Sequence, residues 1–166
     1  MIRPATLTDL DNILAIYARA RAYMRETGNP TQWGSTSPAL AVLLDDIQHQ
    51  QLYVLEDQQI IHAVFALIPG DDPTYRYIDG QWLNNEPYAA IHRVASAGIR
   101  KGVLGECLAY CKDQYTDLRI DTHHDNKIMQ HLVPKFGFKR CGVIYLENGD
   151  PRIAYQFTKW ETAPHS

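Results

Sequence analysis

The sequence predicts an α/β protein, a single domain built on a mixed sheet of about six to seven strands flanked by about four helices. Three observations lead there. The chain has 166 residues, close to the roughly 150 residues of one domain. Hydrophobic residues make up 45% and charged residues 21%, which suits a packed core and excludes a disordered tail, a collagen-like chain or a coiled coil. Apolar runs of strand and helix period alternate from one end to the other, without repeats, low-complexity tracts or a linker. The domain is expected over residues 1–158, followed by a C-terminal tail at 159–166.

The elements follow in order. Ile2 to Ala5 is a short apolar start, and a Thr-Leu-Thr-Asp capping sequence leads into an amphipathic helix with Leu10, Ile13, Leu14, Tyr17 and Met24 at helical spacing. Gly28-Asn29-Pro30 ends it. Ser37 as cap and Pro38 at the first helical position open a second helix through Ile47. Gln51 to Glu56 and Gln59 to Ile68 form a hairpin across Asp57-Gln58. Pro69 to Pro87 reads as an extended loop with one short strand near Tyr75 to Ile78. Tyr88 to Ala95 is a buried strand, and Gly102 to Tyr115 a helix with Leu104, Cys107, Leu108 and Cys111 on one face. Leu118 to Thr122 is the next strand, and Asp125 or Asn126 caps a helix with Ile128, Met129 and Leu132 inward. Gly142 to Leu146 and Arg152 to Phe157 close the chain as a hairpin across Asn148-Gly149.

Composition also narrows function. Sixteen Lys+Arg against nineteen Asp+Glu leave a net charge of −3, so neither nucleic acid nor a membrane surface is expected as a partner, and any anionic ligand must be held locally. Three cysteines, Cys107, Cys111 and Cys141, are an odd set in a chain too long to need staples, which points to a reducing compartment. The N-terminus lacks the apolar core of a signal peptide and no stretch is long enough to span a bilayer, so a cytoplasmic location is expected.

The chemistry is concentrated between His92 and Cys141. Ile91-His-Arg-Val-Ala-Ser-Ala-Gly-Ile-Arg-Lys-Gly-Val-Leu-Gly-Glu places a buried strand, a turn with glycines and cations, and a helix N-terminus in succession. Free amides and the helix dipole favour a phosphate there, and Arg100 and Lys101 add charge. Alternatively, Gly98, Gly102 and Gly105 simply make a tight strand-to-helix turn. Neither a Rossmann fingerprint nor a P-loop is present.

Read together with Leu118 to Phe138, this segment resembles the GCN5-related N-acetyltransferase (GNAT) superfamily, and the likeness in element order covers about residues 1–158. Gly102 fits the first glycine of the family's pyrophosphate turn, Asn126 the capping Asn, and Gly137-Phe138 the closing pair. The family's Arg/Gln falls on Ile99, with Arg100 beside it. Its second Gly/Ala falls on Leu104, with Gly105 next, and the turn between Ala95 and Gly102 is about two residues short. Pro134 should kink or shorten the Asn126 helix, and the tyrosine that many members use to protonate the leaving thiolate corresponds to Val133.

The resemblance implies an acetyl-CoA-dependent N-acetyltransferase in which a primary amine attacks the thioester directly in a ternary complex. Acetyl-CoA would be held by Val94, Ala95, Ser96, Arg100, Lys101, Gly102, Val103, Leu104, Gly105 and Asn126. The three cysteines are then core thiols. His92, on the same strand-face parity as Val94 and Ser96, is the first candidate base, against a satisfied core histidine. Asp121 is the second, against a part in the 122–125 turn or a pair with Arg119. Trp33 either walls the acceptor pocket or plugs the core, and Tyr75, Tyr77, Trp82 and Tyr88 either build an acceptor site or pack their loop. His123, His124, Asp125 and His131 invite a metal, but adjacent strand histidines should face opposite ways and no helical His-x-x-x-His pair occurs, so none is expected. The acceptor is a small-molecule or peptide amine, and a homodimer through the terminal hairpin stays open. The rivals are a non-catalytic CoA-binding or acyl-sensing module and an interaction domain using the Asp71-Asp72 loop.

Overall fold

The alternating runs fold into one mixed sheet with helices on both faces. The structure is a computed structural model that describes residues 1–160; of the expected tail, residues 161–166 lie outside the described residues. The elements are β1 Ile2–Pro4, α1 Leu10–Glu26, α2 Leu40–Gln48, β2 Leu52–Asp57, β3 Ile60–Pro69, β4 Asp79–Gly80, β5 Ala89–Ser96, α3 Val103–Gln114, β6 Asp117–Thr122, α4 Lys127–Lys135, β7 Lys139–Tyr145 and β8 Pro151–Thr158. The strand order is β1-β2-β3-β5-β6-β8-β7-β4. Only β5 and β6 run parallel, and they are the pair joined through α3, as a parallel pair requires a crossover.

The fold class is the expected one, with eight strands rather than six to seven. The additional strand is the two-residue β4 on the β7 edge. The short strand expected near Tyr75 to Ile78 is instead a 3-10 turn at Pro73–Tyr75, because the Asp72 side chain accepts a hydrogen bond from the Thr74 amide and caps it. The second helix starts at Leu40 with Ala39 extended at its cap, not at Ser37-Pro38. The β2–β3 turn falls on Gln58-Gln59, both at positive φ, one residue beyond the expected pair.

Two cores sandwich the sheet, and a third, smaller cluster gathers Tyr75, Tyr88, Ala90, Ile144 and Ala154. On one face α1 and α2 bury Ile13, Ile16, Tyr17, Leu43 and Ile47 against Val54, Val64 and Ala66. On the other, α3 and α4 bury Val103, Cys107, Leu108, Cys111 and Val133 against Phe65, Ile91, Leu118 and Ile120. The central β3 is buried along nearly its whole length, which is why its sequence reads as a continuous apolar run and not an alternating one. At the N-terminus the Arg3 guanidinium grips both Asp9, at 2.8 Å, and Glu56, at 2.9 Å, and holds the Asp9 carboxyl down to about 2.

Gly105 of α3 packs against the ring of Phe136, the residue that closes α4. A Cβ built there would lie 2.7 Å from Cζ of Phe136, well inside contact distance. An exposed helical Gly→Ala substitution ordinarily stabilises by about 1 kcal/mol. Gly105→Ala is expected to reverse that sign, with a net loss on the order of 1 kcal/mol from overpacking. Urea unfolding checks this, and Phe136→Leu in the Gly105→Ala background should recover part of the loss.

Candidate functional site

The site begins where the parallel pair comes apart. β5 and β6 pair only at Ala89 with Leu118, Ala90 with Arg119 and Ile91 with Ile120. Beyond Ile91, β5 keeps β3 on one side and has no strand on the other. The cause is a bulge: Val64 stands opposite Ala95 and Ala66 opposite His92, so β5 carries one residue too many, and a bulged strand bends and twists away. The extra residue, Arg93, sits at φ 55, a conformation that costs about 1–3 kcal/mol outside glycine. Two contacts hold it. Its guanidinium makes paired hydrogen bonds to Asp46 at 2.8 and 3.0 Å, and its carbonyl accepts the Tyr17 hydroxyl at 2.7 Å. Burial raises the Asp46 carboxyl above its ordinary value, with Arg93 opposing.

The bulge corrects the expected parity of His92. Ala90 lies in the core beside Tyr75 and Tyr88, and Val94 packs on the α3–α4 side. His92 therefore shares a face with Ala90 and not with Val94.

The opening between the strands holds a cleft of about 570 Å³. Every residue from Val94 to Ser96 and from Arg100 to Gly105, together with Asn126, lines it. Asn126 caps α4, its side chain accepting from the Met129 amide at 3.1 Å and donating to Gln32 at 3.0 Å. α4 ends at Lys135, with Pro134 in its last turn. Gly102 caps α3 at φ 81. Val103 turns its side chain into the core, so its contribution to the cleft is backbone. Arg100 is not a free cation: its guanidinium is bound by Asp57 at 3.0 Å and Glu106 at 2.8 Å.

The cation that sequence reasoning missed is Arg19 of α1. It donates to the Ser96 carbonyl at 3.1 Å, and its guanidinium occupies the space beside Gly98 where a Cβ would lie; Gly98 itself sits at φ 75, a conformation that favours glycine. Tyr23 stands beneath it, 5.2 Å from the guanidinium to the ring centroid. Arg19 and Tyr23 lie one turn apart on α1, a signal that only the folded packing of α1 over the turn makes meaningful.

A second, smaller cavity of about 190 Å³ adjoins the first through Met24, Val94, Asn126 and Met129. It brings together His92, Asp121 and Trp33, which lie far apart in sequence. His92 Nε2 is 2.8 Å from Asp72, and its Nδ1 has no hydrogen-bond partner among the described residues. Burial pushes the Asp72 carboxyl up, but the His92 hydrogen bond and charge, with the Thr74 amide, outweigh it and hold the group below its ordinary value. Asp121 accepts the Tyr75 hydroxyl at 2.6 Å, and the Tyr75 ring lies 5.8 Å from that of His92. Tyr75 is fully buried and its hydroxyl is held well above its ordinary pKa, by burial first and Asp121 next. Arg119 does not pair with Asp121; it is clasped between Trp82 at 4.1 Å and Tyr88 at 4.0 Å. Trp33 both lines the cavity and packs edge-on against Tyr17 at 5.5 Å.

The remaining candidates resolve by their partners. Burial lifts the Cys107 thiol to about 12 and raises Cys111 and Cys141 as well, so none is an activated nucleophile. His123 and His124 do not face opposite ways; their rings stack at 4.3 Å, and with Asp125 they bring ligand-type atoms together. The Asp125 amide donates to His123 Nδ1 at 3.0 Å, and Nε2 meets the Thr31 hydroxyl at 3.0 Å. Both ring nitrogens are thus engaged, and burial lowers the pKa of His123, which describes a neutral structural histidine. No helix among the described residues is long and apolar enough to cross a membrane.

Among solved structures, the chain is similar to an acetyltransferase of the GNAT family from Streptococcus agalactiae, with 30% identity over 97% of this chain and 96% of that one, at a TM-score of 0.86. It has the same fold as a ribosomal-protein-alanine N-acetyltransferase from Brucella melitensis, at 18% identity over 95% and 99% of the two chains and a TM-score of 0.63. The fold also recurs in a Salmonella typhimurium protein solved with its cofactor acetyl-CoA, at 15% identity over 100% and 97% and a TM-score of 0.61. No protein-family model matches the chain, and no curated protein matches it in sequence.

The lowered Asp72 carboxyl fixes the sign of a pH effect. A carboxylate whose folded pKa lies below its ordinary 3.8 contributes stability that is complete above that value and is lost as pH falls through the folded one. The melting temperature of wild type should therefore exceed that of Asp72→Asn at pH 6, and the gap should close as pH is lowered below about 4.

Proposed function

The chain belongs to the GNAT acetyltransferase family, and from that premise we propose that it moves acetyl from acetyl-CoA to a primary amine by direct attack within a ternary complex. The observation that carries the reading is the junction of the two cavities at Val94 and Asn126, one cavity beside a phosphate-type turn and the other beside a histidine paired to a carboxylate. Acetyl-CoA fits the larger one. Gly98 leaves room for the Arg19 guanidinium over the turn, Gly102 opens α3 with its free amides outward, and the split edge of β5 from Val94 to Ser96 supplies main-chain groups for an extended arm. When bound, it supplies an acetyl thioester whose carbonyl a β5 amide polarises.

The chain's own residues then account for the proton. Asp72 accepts from His92 Nε2, which leaves Nδ1 as the lone pair that takes the proton of an incoming ammonium. Asp121, fixed by Tyr75, adds negative charge that favours a cationic acceptor at the same wall. Trp33 and Tyr17 close the α1 side. Positioning the amine beside the carbonyl supplies the rest of the rate advantage. Val133 is fully buried in the core and offers no proton donor. A thiol with a pKa of about 8.5 leaves as thiolate without an obligatory acid.

The buried Val133 also favours a second reading, a non-catalytic CoA-binding or acyl-sensing module. Thiol release from acetyl-CoA across a panel of primary amines separates the two, because the module binds acetyl-CoA in a calorimetric titration and releases no thiol. For the enzyme, His92→Gln should lower kcat by about 10²–10⁴-fold, with acetyl-CoA affinity retained. Replacing Arg19 and Lys101 together should weaken acetyl-CoA binding more at low salt than at high salt, and more than replacing Arg100, whose charge is already matched.

A further inference from the structure

Arg152 is buried at 5% exposure on β8, and it has no carboxylate. Arg3 is gripped by Asp9 and Glu56, Arg93 by Asp46, and the other buried arginine, Arg119, by two aromatic rings. Arg152 donates only to main-chain carbonyls, Pro151 at 2.9 Å and Gln32 at 3.3 Å. It makes no ion pair among the described residues. Burial accordingly lowers its pKa, and Asp121 and Asp150 offset this only from a distance. A buried charge held by neutral dipoles alone is costly to keep, and this one lines the same smaller cavity as His92 and Asp121.

The placement suits a ligand with two charges. Asp121 stands across from Ala154, and Arg152 is two residues along β8 on the same sheet face. Such diagonal neighbours are about 7–8 Å apart at the backbone, so their side chains can bracket a short molecule with a cation at one end and an anion at the other. The cavity, about 190 Å³, falls below the roughly 300–1,000 Å³ of sites for drug-sized ligands. A guanidinium fork matches a carboxylate in shape as well as charge.

Given the acetyl-transfer reading above, we infer that the acceptor is a free amino acid, whose carboxylate pairs with Arg152 while its amine meets His92 Nδ1. The ammonium passes one proton to His92 Nδ1 and the neutral nitrogen bonds to the thioester carbonyl carbon, the C–S bond breaks with its electrons on sulfur, and the second N–H proton goes to the departing thiolate through solvent, giving the free thiol.

The test uses the twenty proteinogenic amino acids, each beside its carboxamide, with two readouts. One is thiol release from acetyl-CoA. The other is the rise in melting temperature with the N-acetyl acid against the N-acetyl amide in the presence of CoA, which needs no turnover. The expected result is at least one acid with kcat/KM tenfold or more above its amide and the larger thermal shift. Arg152→Gln should bring that acid down to the level of its amide, and Arg152→Lys should keep part of the preference. Equal handling of acids and amides by wild type, or an equal fall for both in Arg152→Gln, overturns the inference and leaves acetyl transfer standing. Acetyl-CoA binding without any effect of an amino acid overturns it as well. Failure to bind acetyl-CoA overturns instead the functional reading on which it rests.

Discussion

Arg93 is held in a left-handed backbone conformation by contacts that come from two helices at once. Asp46 of α2 takes its side chain and Tyr17 of α1 takes its carbonyl. The ion pair is half-buried, and the hydroxyl that completes it is fully buried and held far above its ordinary pKa. These partners hold the bulge in place, and the bulge turns β5 away from β6. Everything that follows depends on that turn: the unpaired edge of β5, the cleft between the strands, and the placing of Val94 on the face away from His92. The two helices of the opening segment thus define the site from outside the sheet.

The two faces of the split do different work. On the α3–α4 side, main-chain groups and glycines dominate, with Arg19 reaching over from α1. That is a surface for an elongated anion held by amides and one or two cations. On the other side, β5, β6 and β8 project ionisable side chains toward a loop that contributes Asp72 and Tyr75. Arg119 and Gln156 fix that loop from below: Arg119 donates to the Asn84 carbonyl at 3.1 Å, and Gln156 accepts from the Leu83 amide at 2.9 Å and donates to Asn84 at 3.0 Å. The aromatic residues of the loop are chiefly packing, and Tyr75 is also a polar fixture because its hydroxyl sets Asp121.

Much of this was legible in the sequence. The order of elements, the cap at Asn126, the glycine-bearing turn and the core cysteines of α3, Cys107 and Cys111, follow from periodicity and turn chemistry, whereas Cys141 on β7 is only partly buried. Other features needed the fold. A bulge leaves no clear mark in a run such as Ile91-His-Arg-Val-Ala-Ser, so strand parity put His92 on the wrong face. Asp72 sits twenty residues before His92 in a loop whose composition gives no register. Arg19 and Arg152 look like ordinary charges on a helix and a strand until α1 is laid over the turn and β8 is placed beside β6. Arg100, the evident cation of the turn, is taken up by Asp57 and Glu106, carboxylates from a strand end and the first turn of α3 that only the folded chain brings together. Long-range partners, not local propensity, decided each of these.

The proposed acetyl transfer requires the anionic end of acetyl-CoA to lie at the turn before α3, and a crystal structure with CoA tests that most directly. The pyrophosphate should appear over the amides of residues 98–102 beside Arg19, and the thiol between Val94 and Asn126 at the mouth of the smaller cavity. Density for CoA elsewhere, for instance in the cavity of about 650 Å³ between Asn84, Asp117 and Trp160, would contradict it.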